Sequence, residues 1–209
     1  MLKKIAVLVS GGGTNLQALI DAEQRGELGA GKIVTVIASK PGVFALERAE
    51  RAGIEAFALP RADYSDARAY SAALCDALTE REIDLIVLAG FLTILDEVIY
   101  EKFENRIINV HPALIPSFAG KGYYGLRVHE AALEKGVKIS GATVHFVTPE
   151  CDGGPIILQK PVAVREDDTP ETLQRRIMEE AEWKILPEAV RLFSDGKLTV
   201  KNNKVYIGE

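Results

Sequence analysis

The first half of the chain alternates two hydrophobic periods, and nothing else in the sequence restricts the fold as strongly. Ile5–Val9, Ile33–Ala38, Ile54–Leu59 and Asp84–Ala89 are short, nearly continuous apolar runs of strand length. Between them, Asn15 to Arg25, Phe44–Ala52 and Ser65 to Arg81 repeat apolar residues at helical spacing, the second stopped by Gly53. A strand that is apolar on both faces must be covered on both faces, and a helix between successive strands makes those strands parallel. Crossovers of this kind are right-handed. The pattern predicts an α/β fold: a doubly wound, mostly parallel sheet with helices on both faces.

The second half continues the sheet. Ile107–Val110 reads as a fifth strand that ends at His111-Pro112, and a loop rich in Pro, Gly and aromatics follows from Pro116 to Gly125. Leu126–Lys135 reads as a helix with Gly136 as its C-cap. Ile139–Phe146 and Ile156–Val164 are two more strand candidates, joined by Thr148–Pro155. Thr169 as N-cap and Pro170 at the first helical position open the last long helix. Lys197–Val200 and Lys204–Ile207 around Asn202-Asn203 read as a short C-terminal hairpin. With no repeat, linker or low-complexity tract, residues 1–209 are read as a single domain.

Charge narrows the partners. Lys plus Arg is 25 and Asp plus Glu is 30, a net charge of −5, so no basic surplus exists to displace counterions from a nucleic acid. Cys75 and Cys151 form no Cys-x-x-Cys pair, which argues against a disulfide framework and a thiolate zinc site. The three histidines, His111, His129 and His145, match no common local ligand spacing, so no metal is expected. The apolar run after Lys3-Lys4 is too short for a signal peptide, and Leu85–Leu95 is too short for a membrane span. The expected setting is the cytoplasm, with no membrane and no nucleic acid.

Two segments carry chemistry. Ser10-Gly11-Gly12-Gly13-Thr14-Asn15 lies between the first strand and the first helix. Glycine there lets backbone N–H groups approach an anion, and the helix N-terminus adds a positive dipole. A phosphate or carboxylate site of this kind needs no net positive charge. No lysine follows as in the ATP/GTP loop, and Leu16 stands where the dinucleotide fingerprint needs its third glycine. A monophosphate on a small substrate therefore fits best.

The second segment is Asn109-Val110-His111-Pro112, at the carboxyl end of a strand. Asn109 and His111, two apart, project to the same side. An amide donor beside an imidazole suits a tetrahedral intermediate: one stabilises the oxyanion, the other moves protons. Asp152-Gly153-Gly154-Pro155 is a tight loop whose Asp, if buried there, hydrogen-bonds His111, fixes its tautomer and raises its pKa. His145 faces either the pocket or the core, and His129 is structural or solvent-facing. Cys151 is read as an unreactive loop thiol.

Taken together, Ser10–Asn15, Ala89-Gly90-Phe91, Asn109–Pro116, Thr143–Phe146 and Asp152–Ile156 resemble the formyltransferases that use 10-formyltetrahydrofolate. The resemblance runs from about residue 3 to about residue 195, and the glycine loop points to the branch acting on glycinamide ribonucleotide in purine biosynthesis. It implies a single formyltransferase domain with Asn109, His111 and Asp152 as catalytic residues. It implies Gly12, Gly13, Thr14, Asn15, Leu16 and Glu182 as contacts of the ribonucleotide. It places Arg68, Leu92, Thr93, Ile94, Leu95, Asn109 and His145 at the folate, with Leu92–Leu95 and Val144–Asp152 as walls. The co-substrate is 10-formyltetrahydrofolate, no metal is implied, and the protein is expected as a monomer or weak homodimer.

The chain departs from the family pattern in places. Thr93 and Ala67 stand where some members carry basic residues near the folate, with Arg68 adjacent to the second. Arg127 and Trp183 stand where histidines are common, and Lys121–Tyr124 lengthens the loop after Pro116. Three other readings fit parts of this pattern. A methionyl-tRNA formylase is expected to add a basic C-terminal domain, and a 10-formyltetrahydrofolate hydrolase an N-terminal regulatory domain. A non-catalytic phosphate-ligand-binding module would not need Asn109, His111 and Asp152.

Overall fold

The computed structural model describes residues 1–208. The first half alternates strand and helix as the sequence predicts: β1 (Lys3–Val9), α1 (Thr14–Gln24), β2 (Gly31–Ala38), α2 (Phe44–Arg51), β3 (Glu55–Ala58), α3 (Ala67–Glu80) and β4 (Leu85–Leu88). Then come α4 (Glu97–Lys102), β5 (Ile107–His111), α5 (Leu126–Lys135), β6 (Ile139–Phe146) and β7 (Ile156–Ala163). The chain closes with α6 (Pro170–Ile177), α7 (Trp183–Ser194) and a hairpin of β8 (Leu198–Lys201) and β9 (Lys204–Ile207).

Seven strands form one sheet in the order β3-β2-β1-β4-β5-β6-β7. β3, β2, β1, β4 and β5 pair in parallel, and β6 and β7 add antiparallel edges. Burial on both faces follows the two-residue period of the strands. Ile5, Val7 and Val9 of β1 enter one core with Leu16, Leu19, Ala45, Ala49, Leu186 and Val190. Ala6 and Leu8 enter the other with Tyr70, Leu74, Leu78 and Ile99. Truncating a fully buried leucine such as Leu8 to alanine costs about 2–5 kcal/mol in this kind of packing.

The chain winds outward from β1 in both directions, so the strand order reverses between β1 and β4. Open α/β sheets bind ligands at the carboxyl ends of the strands beside such a reversal. Ser10 joins the loops there: its hydroxyl oxygen accepts from the Leu92 N–H at 3.0 Å and lies 2.7 Å from the Ser39 hydroxyl. The glycine loop after β1, the turn after β2 and the segment after β4 are thereby fastened together.

Some elements differ from the sequence reading. The six-residue α4 was not predicted; it is nucleated by Asp96, whose carboxylate accepts from the Val98 N–H, and is too short to show helical periodicity. The last long helix is not uniform. Thr169 and Pro170 cap α6 as expected, but Met178–Glu182 forms a π turn in which the Trp183 N–H bonds to the Met178 carbonyl, five residues back. Gly136 ends α5 in the left-handed conformation, as predicted. Asn202 and Asn203 both take positive φ, which matches the twist of a two-residue hairpin turn.

Candidate active site

The glycine loop is shaped by what its carbonyls do. The Gly11 carbonyl accepts from the Ala45 N–H at 3.2 Å, and the Gly13 carbonyl accepts from the Gln17 N–H at 2.9 Å. The Gly12 carbonyl accepts from Arg48 Nε at 2.8 Å. In a trans peptide the N–H points opposite to the C=O. The N–H groups of Gly12, Gly13 and Thr14 are therefore turned away from these partners, and none donates to an acceptor among the described residues. Three unengaged amides at the start of a helix have the geometry to receive an anion.

Only one of the three glycines is dictated by the backbone. Gly13 has φ 72, the left-handed region, and a Cβ on it would lie 2.7 Å from the Ala45 Cβ. A Cβ on Gly11 or Gly12 meets nothing within 4 Å. Asn15 is buried, and its Nδ2 donates to Glu182 Oε2 at 2.6 Å. The π turn brings Glu182 to this position, and Met178 from the same turn lies 3.7 Å from the Thr14 hydroxyl. Burial pushes the Glu182 carboxyl up to about 7, against the lowering effect of the Asn15 bond. Leu16 differs from the expectation of a substrate contact: its side chain is wholly buried in the core, and only its backbone N–H remains available to a ligand.

Asn109, His111 and Asp152 come together as the sequence anticipates, with different contacts. Asp152 adopts φ 55, and Gly153-Gly154 after it folds the loop back on β6, close enough that a Cβ on Gly154 would collide with the Phe146 carbonyl. Asp152 Oδ2 lies 3.6 Å from His111 Nδ1 and Oδ1 lies 3.6 Å from His145 Nε2. These are ion-pair distances, longer than hydrogen bonds. The bond that Asp152 Oδ2 does make, at 2.8 Å, accepts the Gly120 N–H. His111 Nε2 lies 2.8 Å from the Phe118 carbonyl, so that nitrogen carries a proton. With Nδ1 facing a carboxylate, both ring nitrogens are placed to donate, which favours imidazolium.

Burial works against that charge. It is the largest influence on His111 and outweighs the upward pull of Asp152 and of the Phe118 carbonyl, leaving the group below its ordinary value. This corrects the expectation that Asp152 raises the His111 pKa outright: it does raise it, but not by enough to overcome desolvation. Asp152 itself is pushed up by burial and pulled down by His145, the Gly120 N–H and His111, and it settles at about 2.

His145 is 1% exposed and therefore presents no surface to a pocket. Its Nδ1 donates to the Phe146 carbonyl at 2.8 Å, and its Nε2 lies 3.3 Å from Asn109 Nδ2 and 3.6 Å from Asp152 Oδ1. The ring thus orients the Asn109 amide. The register between β6 and β7 shifts at Val144/His145, a bulge that re-aims side chains at this end of the strand. His129 is fully buried, which rejects the solvent-facing alternative. Burial lowers it to about 4.

A groove of about 720 Å³ opens beside the ends of β2 and β4, lined by Leu92, Thr93, Ile94, Ala67, Arg61 and Lys40 among others. Leu92 and Ile94 are exposed along it, at 63% and 78%. Leu95, predicted as a fourth wall residue, is buried in the core near Ile99. Arg68 does not line the groove; Arg61 and Lys40 do, and among the described residues neither has a carboxylate within 4 Å. Sequence reasoning missed Lys40, Arg61 and Arg48, because no local pattern ties these cations to loops distant in the chain.

Comparison with known proteins agrees with this geometry. The family model described as formyl transferase matches residues 3–190. The chain is 40% identical to the phosphoribosylglycinamide formyltransferase of Haemophilus influenzae over 99% of its length and 94% of that protein. It is 42% identical to the trifunctional purine biosynthetic protein adenosine-3 of Gallus gallus over 94% of this chain, and spans only 19% of that longer protein. The crystal structure of glycinamide ribonucleotide transformylase 1 from Symbiobacterium toebii superposes with a TM-score of 0.93 at 44% identity, covering 100% of this chain and 95% of that one. With a family model matching nearly the whole chain and a relative of similar length at this identity, the chain belongs to the formyl transferase family.

Proposed function

We propose that this chain transfers the formyl group of 10-formyltetrahydrofolate to the amine of glycinamide ribonucleotide, the phosphoribosylglycinamide formyltransferase step of purine biosynthesis. The observation that carries the proposal is a convergence at the carboxyl ends of the parallel strands. An amide, an imidazole and a carboxylate meet there, near a loop with three free N–H donors suited to a phosphate.

In this reading the phosphate of the ribonucleotide sits on the Gly12, Gly13 and Thr14 amides, with Asn15 and Glu182 beside its sugar. The folate lies along Leu92, Thr93 and Ile94, and its formyl carbon is held near Asn109 and His111. The amine nitrogen attacks the formyl carbon. Asn109, and His111 when it is protonated, stabilise the oxyanion that develops. The new C–N bond forms, the bond to folate N10 breaks, and the proton lost by the amine passes through His111 or an ordered water to N10. Asp152 holds His111 in place, and His145 does the same for Asn109. No metal takes part. The proposal places the protein in the cytoplasm as a monomer or weak homodimer; no helix among the described residues is long and apolar enough to cross a membrane.

The test is to mix the protein with both substrates and follow tetrahydrofolate release. Release that requires the ribonucleotide supports the proposal. Release without it overturns the proposal in favour of a hydrolase, and no release with binding retained overturns it in favour of a binding module.

A further inference from the structure

Arg48, on α2, is the one cation hydrogen-bonded to the glycine loop. Its Nε donates to the Gly12 carbonyl at 2.8 Å, and its Nη1 donates to Gln17 Oε1 at 2.9 Å. Its guanidinium carbon lies 4.7 Å from the centre of the Phe44 ring, so the plane is held on three sides. Among the described residues, no carboxylate lies within 4 Å of it and Nη2 has no protein acceptor.

Two consequences follow from that geometry. The Gly12 carbonyl, held by Arg48, fixes the peptide plane between Gly12 and Gly13, and with it the direction of the Gly13 N–H. Arg48 also lines a cleft of about 300 Å³ together with Thr14, Gln17, Arg25 and Trp183, so it braces the loop from the side of the Gly12 carbonyl and leaves the opposite side, where the Gly13 N–H points, open. Asp21, a carboxylate lining the same cleft, is engaged by Gln17 Nε2 at 2.8 Å. Gln17 thus bonds Arg48 with one end and Asp21 with the other, and it separates the cation from the acid that would neutralise it.

We infer that Arg48 is a positioning residue for the substrate's phosphomonoester: by holding the Gly12 carbonyl it fixes the direction in which the Gly13 N–H is presented to the dianion. This rests on the reading of the loop as the phosphate site.

The test compares glycinamide ribonucleotide with its dephosphorylated ribonucleoside, in the wild type and in Arg48→Met and Arg48→Lys. Met keeps the apolar stem on Phe44, whereas Lys keeps the charge without the two-pronged grip. The ratio of kcat/KM for ribonucleotide over ribonucleoside should fall roughly ten- to a hundredfold in Arg48→Met. Arg48→Lys should recover part of it. Equal losses on both substrates would mean that Arg48 serves only to hold the fold, and an unchanged ratio would mean that it does not act on the phosphate; either overturns the inference. Binding of ribose 5-phosphate by calorimetry, in wild type and Arg48→Lys, keeps the test independent of turnover. A wild type that binds it but formylates nothing refutes the proposed function and leaves the inference standing. Equal affinity in both proteins refutes the inference alone.

Discussion

Replacing Gly13 by alanine tests the physical account of the phosphate loop most directly. Gly13 holds φ 72 and ψ 37. An L-residue in that region costs about 1–2 kcal/mol. The added Cβ would also stand 2.7 Å from the Ala45 Cβ and 3.0 Å from the Ala45 Cα, and the second of these is backbone on α2 that cannot turn aside. Forcing such a contact in a packed region costs about 1–3 kcal/mol. The sum is roughly 2–5 kcal/mol, which for a chain of this size lowers Tm by roughly 4–20 °C. Ala45→Gly separates the two contributions. It removes the 2.7 Å contact with the Ala45 Cβ and leaves the φ penalty and the 3.0 Å approach to the Cα, at a helix cost of its own of up to about 1 kcal/mol. Urea or thermal melts of the four proteins form a cycle, and the coupling should be favourable by about 1–3 kcal/mol. A Gly13→Ala protein as stable as the wild type would refute the reasoning. So would a double variant no more stable than the sum of the single losses predicts, because the collision with Ala45 would then not be the cause.

His111→Ala should abolish nearly all formyl transfer while the fold melts cooperatively, and turnover close to wild type in a pure preparation would defeat its assigned role. Asn109→Ala should lose on the order of 2.7–4 kcal/mol of transition-state stabilisation, read from kcat/KM. Asp152→Asn removes the charge that counters desolvation of His111, so an NMR titration should find the His111 pKa lower still; an unchanged titration would show that the carboxylate does not set it. Glu182→Gln should flatten the dependence of stability on pH. The folded Glu182 carboxyl is raised to about 7 from 4.5, so its contribution is full below pH 4.5 and is lost as pH rises through 7, a change of about 3 kcal/mol. Glutamine can still accept the Asn15 bond, and an equally steep profile in the variant would assign the slope elsewhere.

Much of this molecule is legible in the sequence, for identifiable reasons. The central strands have to be apolar on both faces, so β1 and β4 announce themselves as continuous runs. Gly136 and Thr169-Pro170 mark helix ends because backbone geometry restricts those positions. The short α4 carries no periodicity, and the π turn at Met178–Glu182 leaves no mark, since one extra residue per turn looks like ordinary helix. Asn109 and His111 are visible as a pair because strand alternation is strict.

The sequence by itself determined the layered architecture, the loop able to take an anion and the residue types able to move a formyl group. These depend on hydrophobic period, on glycine and on side-chain chemistry, all of which are local. Only the tertiary structure decided the rest. It removed Leu16 and Leu95 from the ligand surfaces by turning their side chains into the core. It held the His111 pKa down through burial even beside Asp152. It also set Arg48, 36 residues away in the chain, against the carbonyl of Gly12. Burial and through-space charge depend on where distant segments meet, and that is settled only when the sheet closes its order around β1.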